Sequence, residues 1–135
     1  MNAENKDKSR QKRVVGLVEK VKIIGRKEVF ADAILDTGAT GTSIDVRIAK
    51  EAELGPITGT VKVKSKTSAD GYTRRIKVGA GIELAGKVVH VEANIQDRKN
   101  MYTPVLIGRD VLYSNFVVDV GKTHNSNKID DIKKR

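Results

Sequence analysis

Asp36-Thr37-Gly38-Ala39 is the stretch of this chain whose residue types and spacing point to chemistry. An apolar run, Phe30-Ala31-Asp32-Ala33-Ile34-Leu35, reads as a strand and delivers one carboxylate into a tight turn. There Thr37 can hydrogen-bond backbone, and Gly38 lets another backbone come close. Two carboxylates held side by side share one proton, so that one acts as base on a water while the other acts as acid. Asp-Thr-Gly occurs only once in the sequence. The missing half must then come from a second copy of the chain. Taken alone, Asp36 also reads as a turn residue capping its own loop.

A second motif follows about seventy residues later, where Leu106-Ile107-Gly108 forms a short apolar run ending in glycine and Arg109-Asp110 comes next. The elements that must position the two motifs are mostly strands. Val14–Ile24 and Glu28–Leu35, rich in Val and Ile around Gly25-Arg26, read as a β-hairpin leading into the Asp-Thr-Gly turn. After the turn, Asp45 is a possible N-cap and Gly55-Pro56 a stop, which predicts one short helix of two to three turns over 45–54. Thr60–Lys66 alternates, with Val61 and Val63 on one side and Lys62, Lys64 and Lys66 on a wet face. Asp70-Gly71 suits a tight turn, and Tyr72–Leu84 returns as the partner strand, giving a long hairpin with a polar, basic tip. Val89, Val91, Ala93 and Ile95 alternate with His90, Glu92, Asn94 and Gln96, a strand that places His90 on the solvent side. Asp97-Arg98-Lys99-Asn100 reads as a polar loop, Arg109–Tyr113 as one helical turn, and Asn115–Val120 as a final strand. The result is a mainly β chain of seven or eight strands with one or two short helices and no internal repeat.

Composition narrows the function classes. The length of 135 residues fits one domain with a real core. No apolar stretch approaches a membrane span, and the charged start, Met1–Arg13, lacks the apolar core of a signal peptide. With no cysteine and only His90 and His124, neither a disulfide nor the usual zinc ligand set is available. A cytoplasmic protein without metal or cofactor is the default. The net charge of +9 resides mainly in the ends: residues 1–13 and 122–135 each carry five basic residues against two acids. Residues 14–121 hold 16 basic and 13 acidic residues, an ordinary domain surface. Three segments are therefore expected: disordered basic tails at 1–13 and 122–135, able at most to touch nucleic acid weakly, and a domain at 14–121.

With both motifs in view, the sequence resembles the retropepsin-like aspartic proteases, the group of the retroviral proteases and their cellular and prokaryotic relatives. The likeness runs from about Val21 to Val120: an N-terminal hairpin, Asp36-Thr37-Gly38-Ala39, a flap hairpin, further strands, Leu106-Ile107-Gly108-Arg109 with a short helix, and a last strand. It implies a closed, barrel-like acid-protease fold and a homodimeric endopeptidase acting on peptides or proteins. Asp36 would be the catalytic carboxylate. Thr37 would brace the two loops across the dimer, Gly38 would admit the substrate backbone, and Ala39 would line the site. Leu106, Ile107 and Gly108 would pack beside the catalytic loop, with Arg109 in a structural ion pair. By position, Ala69, Asp70 and Gly71 match the flap tip. One departure bears on Arg109: retroviral enzymes commonly carry an acid directly after the Ala, and here Thr40 stands there. In those relatives the termini interleave at the dimer interface, which singles out Val14–Val18 and Asn115–Val120 here. Two other readings compete, a catalytically inactive peptide-binding or dimerisation module of the same fold, and a nucleic-acid-binding β-barrel using its basic tails.

Overall fold

The computed structural model describes residues 11–123. β1 (Arg13–Ile24) and β2 (Glu28–Leu35) form the expected antiparallel hairpin, with Val21 opposite Ala31 and Ile23 opposite Val29. Alternation decides the faces: Val21, Ile23, Ala31, Ala33 and Leu35 turn inward, while Lys20 and Phe30 lie exposed. β3 (Ser43–Asp45), a short buried strand that the sequence left unassigned, leads directly into α1 (Val46–Glu51). Asp45 caps this helix, its carboxylate accepting from the Arg47 amide. At six residues α1 is shorter than expected, because Ala52 ends it and Glu53 turns into the left-handed region.

β4 (Ile57–Lys64) and β5 (Tyr72–Leu84) make the long hairpin, and β6 (Lys87–Gln96) continues the meander. β7 (Val105–Ile107), α2 (Arg109–Leu112) and β8 (Phe116–Thr123) complete the chain. The strands form one sheet in the order β4-β5-β6-β3-β7-β2-β1-β8, and β5 also pairs with β1 through Gly81–Glu83 opposite Lys22–Ile24. The hydrophobic core lies within this curved sheet, where Ile23, Ile44, Ile82, Val105, Ile107 and Val111 are fully buried. Each such side chain contributes about 1.5–3 kcal/mol relative to an exposed one.

Two pairings position the motifs. β2 and β7 run parallel with Leu35 opposite Ile107, so the residues that follow each, Asp36 and Gly108, emerge together at one end of the sheet. β1 and β8 also run parallel, Arg13 to Phe116 and Val15 to Val118. The two segments singled out as dimer strands thus pair with each other within one chain. β8 takes up Lys122 and Thr123 and β1 takes up Arg13; the remainder of the expected tails, 1–10 and 124–135, lies outside the described residues.

Candidate active site

The loop after β2 closes tightly on itself. The Gly38 amide donates to Asp36 Oδ1 at 2.8 Å, and the Ala39 amide donates to the Asp36 carbonyl at 3.2 Å. Asp36 is half-buried, whereas Thr37 and Gly38 are exposed. Its amide donates to the Ile107 carbonyl at 2.8 Å, which ties the loop to the second motif at its first residue.

The second motif holds the rest of the loop through backbone and side chain alike. Arg109 and Asp110 amides donate to the Ala39 and Thr40 carbonyls at 2.8 and 3.2 Å. Gly108 is required by this proximity: a Cβ there would lie 2.5 Å from the Gly41 carbonyl oxygen, far inside van der Waals contact. Leu106, half-buried, and Ile107, fully buried, pack as the apolar base of the motif. The Arg109 guanidinium donates to the Thr37 carbonyl at 3.0 Å and to Thr40 Oγ1 at 3.1 Å. Arg109 therefore binds the loop through neutral oxygens, where an ion pair was expected. Thr40, the residue that replaces the familiar acid, is itself one of the acceptors.

Thr42 and Asp110 form a pair beside the loop that sequence reading missed. Fully buried Thr42 donates from its amide and its hydroxyl to the Asp110 carboxylate, at 3.1 and 2.7 Å, and its hydroxyl accepts from the Gly108 amide at 3.2 Å. One threonine, just beyond the first motif in the chain, thus ties that segment to the second. Its position within a run of Thr, Gly and Ser residues gave no pattern to distinguish it.

Downstream, Asp45 anchors α1 and the loop after β6. Burial alone would raise its carboxyl pKa, but the Arg98 and Arg47 amides and the Arg47 guanidinium outweigh burial and hold it below the usual range. The relevant distances are 2.7 Å from the Arg98 amide and 2.7 Å from Arg47 Nη2. Arg98 lies in the polar loop that follows β6, as expected, yet it is only 6% exposed, because Asp45 and the Thr103 carbonyl draw it inward.

The hairpin tip is built differently. Residues 65–71 reverse the chain with the Ser65 amide on the Gly71 carbonyl at 2.8 Å, the Gly71 amide on the Ser68 carbonyl at 3.1 Å and the Tyr72 amide on Asp70 Oδ1 at 3.0 Å. Ala69, Asp70 and Gly71 are all exposed. Between the hairpin, β6 and the Asp36 loop lies a cavity of about 900 Å³, lined on one side by Ala39, Thr40 and Gly41 and on another by Val61–Lys64. Asp36 and the tip residues 69–71 do not line it. His90, on the exposed face of β6 as expected, does. Among the described residues no group of three or more His, Cys, Asp or Glu could hold a metal ion, and no helix is long and apolar enough to cross a membrane.

Comparison with known proteins agrees with this geometry. A family model described as aspartyl protease matches residues 19–111, a span containing both motifs. Among solved structures, the chain is similar to Lpg0085, a protein of unknown function (DUF785) from Legionella pneumophila, with 23% identity and a TM-score of 0.58 over 84% of this chain and 97% of that one. It is also similar to EIAV protease in complex with the inhibitor HBY-793, with 17% identity and a TM-score of 0.56 over 70% of this chain and 83% of that one. No curated protein matches significantly.

Proposed function

This chain belongs to the aspartyl protease family, of retropepsin-like kind, and from that premise we propose that it is a homodimeric aspartic endopeptidase whose active site forms where two copies of Asp36 meet. The observation that carries this reading is the pinned loop. Asp36 is held by its amide to Ile107 and by its carboxylate to Gly38, while the nearby acid Asp110 is engaged by Thr42. One organised carboxylate per chain, beside exposed Thr37 and Gly38, suits a two-fold axis that brings identical loops together.

In such a dimer the two carboxylates share a proton. The ionised member takes a proton from a water, whose oxygen attacks the peptide carbonyl carbon; the protonated member hydrogen-bonds the carbonyl oxygen. The tetrahedral intermediate then breaks its C–N bond as a proton passes to the leaving nitrogen. Thr37 braces the paired loops, Gly38 admits the substrate backbone and Ala39 lines its path. Leu106, Ile107, Gly108 and Arg109 keep the loop in place. The β4–β5 hairpin, with Ala69, Asp70 and Gly71 at its tip, closes over an extended peptide and excludes water. The β1–β5 pairing supports the closed, barrel-like description of the domain at 14–121.

β8 lies at the end of the strand order and carries exposed Val117 and Val120, 49% and 67% accessible, with exposed Val14 on neighbouring β1. That edge supports dimer formation through β8. Sedimentation of purified protein, followed by cleavage of a mixed peptide library with wild type and Asp36→Asn, tests the proposal. A dimer whose cleavage vanishes in the variant is expected. A well-folded dimer inactive from acidic to neutral pH would instead make the chain a peptide-binding or dimerisation module.

A further inference from the structure

The cavity beside the Asp36 loop is basic, and its positive charges are unevenly compensated. Lys62, Lys64, Arg75, Lys77 and Arg98 line it, against the acids Glu92 and Asp110. Lys77 is neutralised by Glu92 at 3.0 Å, and the Asp110 carboxylate is taken up by Thr42 and by the Val111 amide. Lys62 lies over the Tyr72 ring, 5.3 Å from its centre.

Lys64, Arg75 and Arg98 remain; Lys64 is exposed, whereas the two guanidinium groups have neutral hydrogen-bond partners. Arg75 Nη1 donates to Asn94 Oδ1 at 3.3 Å, and Arg98 Nε donates to the Thr103 carbonyl at 3.1 Å. Asp45 attracts Arg98, yet its oxygens already serve the Arg98 and Arg47 amides and the Arg47 guanidinium. Burial disfavours the charged form of both arginines, and for Arg98 the charge of Arg75 adds to this. Two guanidinium groups that line one recess and whose hydrogen bonds go to neutral oxygens favour an anion that joins them, and their planar forks match a carboxylate.

We propose that this cavity takes a glutamate or aspartate side chain of the bound peptide, held by Arg75 and Arg98, so that the enzyme selects substrates with an acidic residue near the cleaved bond. The placement fits because Ala39, Thr40 and Gly41, which continue the Asp36 loop, line the same cavity as the two arginines. The inference rests on the peptide-binding reading of the site and names the substrate class that reading leaves open.

Fluorescent peptides differing by one Glu-to-Gln exchange at successive positions test it. Their cleavage is measured with wild type, and their binding by polarisation with Asp36→Asn. At one position Glu should be preferred by about 10- to 100-fold in both kcat/KM and affinity, the scale of a charge-assisted pair. Arg75→Gln should remove most of that preference, whereas Arg98→Lys, which keeps the buried charge, should reduce it in part. Thermal melts check that each variant folds. Cleavage with no preference at any position overturns the inference, as does a preference that Arg75→Gln leaves intact. Tighter binding of a phosphoserine peptide or of a single-stranded oligonucleotide would also overturn it, by assigning the recess to phosphate. Glu-selective binding without any cleavage supports the inference while rejecting the peptidase.

Discussion

The Asp36 loop and the hairpin loop 65–71 are both short reversals rich in small polar residues and both bond within themselves, yet only the Asp36 loop adds bonds from a distant part of the chain. The first is held by residues about seventy positions away, through Ile107, Arg109 and Asp110. The second is held by its own members, through Ser65, Ser68, Asp70 and Gly71. Beneath the Asp36 loop lies fully buried Ile107; β4, beneath the hairpin tip, contains no buried residue. Long-range bonds to a packed base fix a position, whereas local bonds on an exposed ribbon preserve a shape and leave its placement free. A hydrolytic site needs both, a carboxylate held still and a cover that can move.

The sharpest way to break the comparison is at the fixed side. Asp36→Asn should lower peptide cleavage by three orders of magnitude or more while leaving the thermal midpoint close to wild type, because the amide keeps an oxygen for the Gly38 amide. Retained activity in a pure sample would refute the role of the loop. Next in size, Gly108→Ala forces a methyl group against the Gly41 carbonyl and should cost about 3 kcal/mol or more in urea unfolding.

Asp110→Ala removes the acceptor of both Thr42 donors and should cost about 2 kcal/mol, measured the same way. Asp45 extends the test to pH. Its carboxyl pKa is lower in the fold than in the unfolded chain, so its stabilisation is complete above the unfolded value of about 3.9 and is lost as pH falls through the folded value. Urea midpoints measured from pH 6 to 2 should therefore drop more steeply for wild type than for Asp45→Asn. Smallest is Gly71→Ala at the hairpin tip, where φ is +79°: about 1 kcal/mol or less in stability, with any change in cleavage carried by KM. A loss as large as that of Gly108→Ala would erase the distinction between the two loops.

Much of this contrast was legible in the residues. Val and Ile richness around Gly25-Arg26 located the β1–β2 hairpin, period-two alternation located β6, and Asp45 announced the start of α1, since all three signals are local. Thr42 and the bonding role of Asp110 were hidden because their meaning arises only when β2 and β7 lie side by side. The burial of Arg98 was hidden for the same reason: its neighbours Asp97, Lys99 and Asn100 are polar and exposed, and only the fold supplies the Asp45 and Thr103 oxygens that draw it in. The partner of Arg109 stayed open once Thr40 was seen to replace the acid, because a hydroxyl and a carbonyl, which no charge pattern reveals, take the place of a carboxylate.

The parallel pairing of β1 with β8 also has a bearing on how the chain acquires its shape. The first strand of the sheet is completed by the last, Arg13 beside Phe116, so this edge can be closed only after nearly all the intervening chain has been made. Until then the start of β1, Arg13 to Gly16, which pairs with β8 and not with β2 or β5, is an open ribbon on a nascent chain, available for mispairing with a neighbour. Contacts of such wide sequence separation slow folding. We expect the docking of β8 to be a late event in refolding, and crowding at high protein concentration to compete with it.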